Sequence, residues 1–200
     1  MESNATQEKS SFVSHFKSLA VPMSTQPQRA FFMAQLMLRA LALLLSVAAI
    51  ITMLTNGQNL TIMGIVIEAR YNYSSAFRFI VGADAIVCVC SALSMFLVFI
   101  LSRPKSDPSN YYFLFLHDLV VALLIMAGCA AATAIGVVGR DGQVQSGWPA
   151  ICNRVEEFCH KSTVSIAMSY LAFLCYLSLT VMAVNKLKKK NAQEASQGGA

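Results

Sequence analysis

Asp118 stands inside "LFLHDLVVALLIMAG", a carboxylate set in a run of Leu, Val, Ile and Ala. A charge at the centre of a membrane helix costs roughly 2.5–3.5 kcal/mol on insertion scales, so whatever meets it decides what it does. Arg39, in "FMAQLMLRALALLLSVAAI", is the matching counter-charge. If both helices enter the bilayer from one side, Arg39 lies about 12 Å along its axis and Asp118 about 8–10 Å along its own. A fork of donors on a long stem suits a carboxylate. The expectation is an intramembrane charge pair, Arg39 with Asp118. Two alternatives stand beside it. Arg39 can snorkel to the interface while Asp118 stays protonated or bonds a hydroxyl, or Asp118 can serve a proton or ion relay, as intramembrane acids do. His117 is adjacent, but consecutive helical positions point about 100° apart, which argues against a shared narrow path. Asp84, in "FRFIVGADAIVCVC", has no partner that the sequence identifies.

Other residues with chemical potential fall into a few groups. Cys152 and Cys159 lie seven residues apart in the polar stretch "GRDGQVQSGWPAICNRVEEFCHKS". On an oxidising outer side that spacing predicts a disulfide. Cys88, Cys90, Cys129 and Cys175 sit in apolar runs and read as small packing residues. The sequons at Asn59 and Asn72 are N-glycosylation acceptors on that outer side, whereas "NAT" at Asn4 has the motif on the other side. Gly128, Ala132 and Gly136 recur every four residues, a small-residue ridge that lets helices approach closely. Asp118 precedes Ala132 and Gly136 by near-whole turns, so the acid and most of the ridge share a face. A haem carrier would need paired intramembrane histidines, but only His15, His117 and His160 exist. "CVC" is not C-x-x-C, and neither a metal cluster, a G-x-S-x-G elbow nor a phosphate loop occurs. No enzyme, metal or cofactor is expected.

The elements that must position these residues follow from composition. Of the 200 residues, 56% are hydrophobic and 12% charged, where a soluble domain carries about 25% charged residues. Mean hydropathy is +0.57. Four apolar runs, near 31–54, 77–101, 113–138 and 163–184, are each long enough to cross a bilayer of ~30 Å as a helix. The fold class expected is an all-α membrane protein, a four-transmembrane-helix bundle; the alternation of a β-barrel is missing. The first run is longer than a signal-peptide core and reads as a retained helix. Outer loops are expected at 55–76 and 139–162, an inner loop at 102–112, a polar disordered tail at 1–30 and a basic, then polar, tail at 185–200. Nine Lys and Arg residues flank the side of the termini against five on the other, which predicts cytosolic N- and C-termini. The net charge of +5 is then a matter of topology, not of nucleic-acid binding. "NKLKKK" after the fourth run reads as a stop-transfer flank or as a contact with anionic lipid. Short connections make successive helices antiparallel neighbours.

The Arg of "LMLRALALLLS", the Asp of "FLHDLVVALLIMAGCAAATAIG", the loop "GWPAICNRVEEFCHK" and the stretch "AFRFIVGADAIVCVCSALSMFL" together resemble the Casparian strip membrane domain protein-like family of land plants, over residues 29–184. The resemblance implies a four-span plasma-membrane protein related to MARVEL-domain proteins, with cytosolic termini. It places the family's Arg and Asp at Arg39 and Asp118, and its loop cysteines at Cys152 and Cys159. It further implies homo- and hetero-oligomers with related four-span proteins and a membrane scaffold that recruits wall-side enzymes. The first outer loop, "NGQNLTIMGIVIEARYNYSSAF", lacks the aromatic signature of the strip-forming members. The functional expectation is a non-enzymatic scaffold that organises a membrane subdomain linked to local cell-wall modification. The alternative is small-solute or ion transport through Asp118.

Overall fold

The computed structural model describes residues 26–62, 65–101 and 108–197. Four helices dominate it: α1 (Gln26–Leu54), α2 (Ser75–Leu101), α3 (Pro108–Asp141) and α4 (Glu156–Gln197). All four are long and apolar enough to cross a membrane. They pack in a ring, α1 against α2, α2 against α3, α3 against α4, and α4 back against α1. Two diagonals result, α1 facing α3 and α2 facing α4 across the centre. The start of α1 meets the end of α4, where Lys186 Nζ lies 4.1 Å above the Phe31 ring, a cation–π contact. The end of α1 meets the start of α4 through Asn56 and Ser162.

The inward face of each helix follows a heptad. Buried positions on α1 run Gln35, Arg39, Ala42, Ser46, Ala49, Met53 and, just past its end, Asn56, alternating steps of four and three. The same alternation runs on α2 through Ile80, Asp84, Val87, Ser91 and Ser94, and on α4 through Ser162, Ser165, Ser169, Ala172 and Tyr176. A period of 3.5 residues keeps one seam facing the partners and favours left-handed crossing near 20°. The Ala and Ser residues among these positions let the backbones come close. Many large apolar side chains point outward, among them Met37, Leu44, Phe96, Leu123, Leu171 and Val181. A soluble amphipathic helix has the opposite arrangement. Lipid is the solvent that such a surface fits.

Two elements depart from the apolar-run reading. The segment between α1 and α2, expected as a loop, contains an antiparallel hairpin, β1 (Gly57–Ile62) with β2 (Ile65–Arg70), in register from Gly57 opposite Arg70 to Ile62 opposite Ile65. Thr61, Ile62, Ile65, Val66 and Ile67 supply the β-branched content that favours pleated backbone. A run of six residues is too short to register in a search for spans. The second departure is α4, which extends beyond 163–184 at both ends. At its start Glu156 and Glu157 complement the helix dipole, and Gln58 Oε1 from β1 accepts a hydrogen bond from the Phe158 amide at 3.2 Å. At its far end "NKLKKKNAQEASQ" holds neither Gly nor Pro, so helix continues where apolarity stops. Of the expected disordered tail at 1–30 and inner loop at 102–112, residues 26–30 and 108–112 are helical instead, in the first turns of α1 and α3, and the rest lies outside the described residues.

Candidate functional site

Arg39 and Asp118 sit on the α1–α3 diagonal, and the structure brings their side chains together across the centre of the bundle. Nη1 donates to Asp118 Oδ1 at 2.8 Å and Nη2 to Oδ2 at 2.7 Å. Both side chains are fully buried. This is the fork-to-fork geometry of an arginine and a carboxylate, stronger and more directional than a point contact. Nη1 also donates to Ser94 Oγ on α2 at 2.7 Å, and Ser94 Oγ in turn donates to the Ser91 carbonyl at 3.1 Å. His117 Nδ1 lies 3.3 Å from Asp118 Oδ1. Adjacent helical positions diverge, yet the imidazole still reaches its neighbour's carboxylate, a contact that the angular argument from sequence did not foresee.

The other diagonal is tied at neighbouring levels. Ser91 Oγ on α2 and Tyr176 Oη on α4 share a hydrogen bond of 2.5 Å. Further toward the hairpin, Ser169 Oγ on α4 donates to Asp84 Oδ2 on α2 at 2.7 Å. Ser165 Oγ donates to the Ala49 carbonyl of α1 at 2.8 Å, and Asn56 Nδ2 donates to the Phe158 carbonyl at 2.8 Å and to Ser162 Oγ at 2.9 Å. All four helices are therefore joined by buried polar contacts along the shared axis. In hydrocarbon, where water cannot compete, such bonds add to packing that hydrophobicity alone does not drive. Sequence reasoning missed Ser91, Ser94, Ser169 and Tyr176. Their signal was the recurrence of polar residues at heptad spacing in three separate spans.

The small-residue ridge divides. A methyl group at Gly128 would stand 3.4 Å from Ala83 Cβ and from Ile80 Cα, so α2 packs tightly there. Ala132 is also buried. Gly136 opens onto free space. Beyond it the chain turns at Gly142, whose φ of +72° suits glycine and where a Cβ would meet the Trp148 carbonyl and Ala150 amide at 2.9 Å. The amides of Ile151 and Cys152 then donate to the Gly139 carbonyl at 2.9 and 3.1 Å. A disulfide joins Cys152 to Cys159, with the Cα atoms 5.7 Å apart, and pins this loop to the first turn of α4. Asn59 is exposed on β1, and Asn72 is exposed in the 3-10 turn Tyr71–Tyr73. Among the described residues no three of His, Cys, Asp or Glu gather as a metal site.

The model of the Casparian strip membrane protein domain matches residues 28–175. CASP-like protein 1F2 of Ricinus communis is 47% identical over 182 residues, which is 90% of this chain and 90% of that protein. CASP-like protein 1F3 of Populus trichocarpa is 44% identical, over 85% of this chain and 88% of its own. CASP-like protein 1F1 of Arabidopsis thaliana is 34% identical, over 76% of this chain and 87% of its own. No solved structure matches.

Proposed function

The chain belongs to the family built on the Casparian strip membrane protein domain, and from that premise we propose that it is a non-enzymatic plasma-membrane scaffold that oligomerises and organises a membrane subdomain. Its termini face the cytosol, and the hairpin and disulfide-pinned loop face the wall, where they present a surface to wall-modifying enzymes. Partners in the membrane are further copies and related four-span proteins, held side by side through the lipid-facing helices. Asn59 and Asn72, both exposed at the loop end, are its glycan acceptors.

The observation that carries this reading is the closed bonding of Asp118. Both of its oxygens are taken by Arg39, and the remaining reach of Nη1 goes to Ser94. An acid committed in this way stiffens a bundle; a transport site must release and rebind its charge. The contact of His117 with Asp118 is the one feature that favours a proton pathway as a second reading. Imaging of the tagged protein at native expression, with crosslinking of its neighbours, separates the two. A scaffold gives immobile membrane patches and crosslinked oligomers. A uniformly diffusing monomer, together with proton-dependent flux in liposomes that Asp118→Asn abolishes, would sink the scaffold and support transport.

A further inference from the structure

The second buried acid of the bundle is held quite differently from the first. Asp84 is 2% exposed, and among the described residues no Arg, Lys or His forms an ion pair with it. Its Oδ2 accepts from Ser169, but its Oδ1 has no hydrogen-bond partner. On α1 the Ser46 hydroxyl, also fully buried, faces this carboxyl and has no partner that meets hydrogen-bond geometry. A carboxyl oxygen and a hydroxyl oxygen, each without a hydrogen-bond partner, thus lie in one buried neighbourhood of the core. Among the described residues, the titratable groups near Asp84 are thiols, Cys88 on α2 and Cys129 on α3.

An ionised carboxylate with one bond and no cation is costly in a dry interior. Adding a single proton removes that charge, and the neutral acid still accepts from Ser169 while it can share a hydrogen bond with the Ser46 hydroxyl. We propose that Asp84, Ser46 and Ser169 form a buried proton-binding site, in which Asp84 is a neutral acid donating from Oδ1 to the Ser46 hydroxyl while Oδ2 accepts from Ser169. The site joins α2 to α1 and to α4. On α4 the buried serines Ser169, Ser165 and Ser162 run from the site toward Asn56 at the hairpin end. The bundle then holds two acids in opposite states, Asp118 ionised against Arg39 and Asp84 protonated.

The test uses the full chain in lipid nanodiscs. Infrared spectra at neutral pH show the carbonyl stretch of a protonated carboxylic acid, which moves on deuteration. The band is lost in Asp84→Asn and displaced, but retained, in Asp84→Glu. A folded state that keeps a proton released by the unfolded chain weakens as pH rises. The melting temperature of the natural chain therefore falls toward alkaline pH, and the difference between it and Asp84→Asn changes in the same direction. If Asp84→Asn fails to fold, the band in the natural chain and its displacement in Asp84→Glu still decide the matter. Absence of any protonated-acid band, a band unaffected by substitution at Asp84, or a stabilisation by sodium ions that requires Asp84 would overturn the proposal.

Discussion

At the scale of single residues, the reach and shape of Arg39 matter as much as its charge. Its guanidinium crosses a diagonal and serves three acceptor contacts at once, two on Asp118 and one on Ser94. A lysine carries the same charge as a compact ammonium on a different stem and cannot present a fork. Arg39→Lys is accordingly expected to lose about 1.5–3 kcal/mol of stability, the range of a hydrogen bond to a charged group. Reversible unfolding in mixed micelles would measure it, and an unchanged midpoint would mean that charge alone suffices. Depth along the helix was enough to single out Arg39 and Asp118 from sequence, because a charge in an apolar run is conspicuous. Ser94, Ser91 and Tyr176 were not legible in the same way. Serine and tyrosine carry no charge, and their contacts depend on which helices face each other across the ring.

At the scale of elements, α3 has two kinds of small residue within one spacing pattern. Gly128 is small because α2 presses against it, whereas Gly136 faces open space. Gly128→Leu should therefore overpack the α2–α3 contact and cost about 1–3 kcal/mol or more. Gly136→Leu should leave the fold of one chain intact, so that any effect on crosslinked oligomers reports on a neighbouring molecule. Parallel unfolding and crosslinking measurements on the two variants would show the separation; equal destabilisation would mean that both positions pack within the chain. The four-residue spacing in the sequence could not divide the ridge, since it records identity and not how far the neighbouring helix extends. The same limit applies to α4 and to the hairpin. Span-finding by apolarity detects what lipid requires, and it passes over a polar helix extension or a six-residue strand that is stabilised by pairing.

At the scale of the whole molecule, the bundle is apolar outside and cross-braced inside. Polar contacts at successive levels tie α1 to α3, α2 to α4, and α4 to α1. Four spans and their membrane class were legible from composition, because bilayer thickness sets the length of any spanning helix. The packing of successive helices was legible too, but the closing contact of α4 with α1 was not, and it is that closure that turns the charge pair into a diagonal brace. A rigid unit of this kind suits a protein whose work is to hold position beside its neighbours. The central claim is that Arg39 and Asp118 act as one structural lock. A double-mutant cycle in nanodiscs tests it most directly, comparing the natural chain with Arg39→Leu, Asp118→Leu and the two combined. Each single change strands a buried charge and should cost about 3–5 kcal/mol, while the combined change should recover most of that loss. Single losses that simply add in the double variant would contradict the lock.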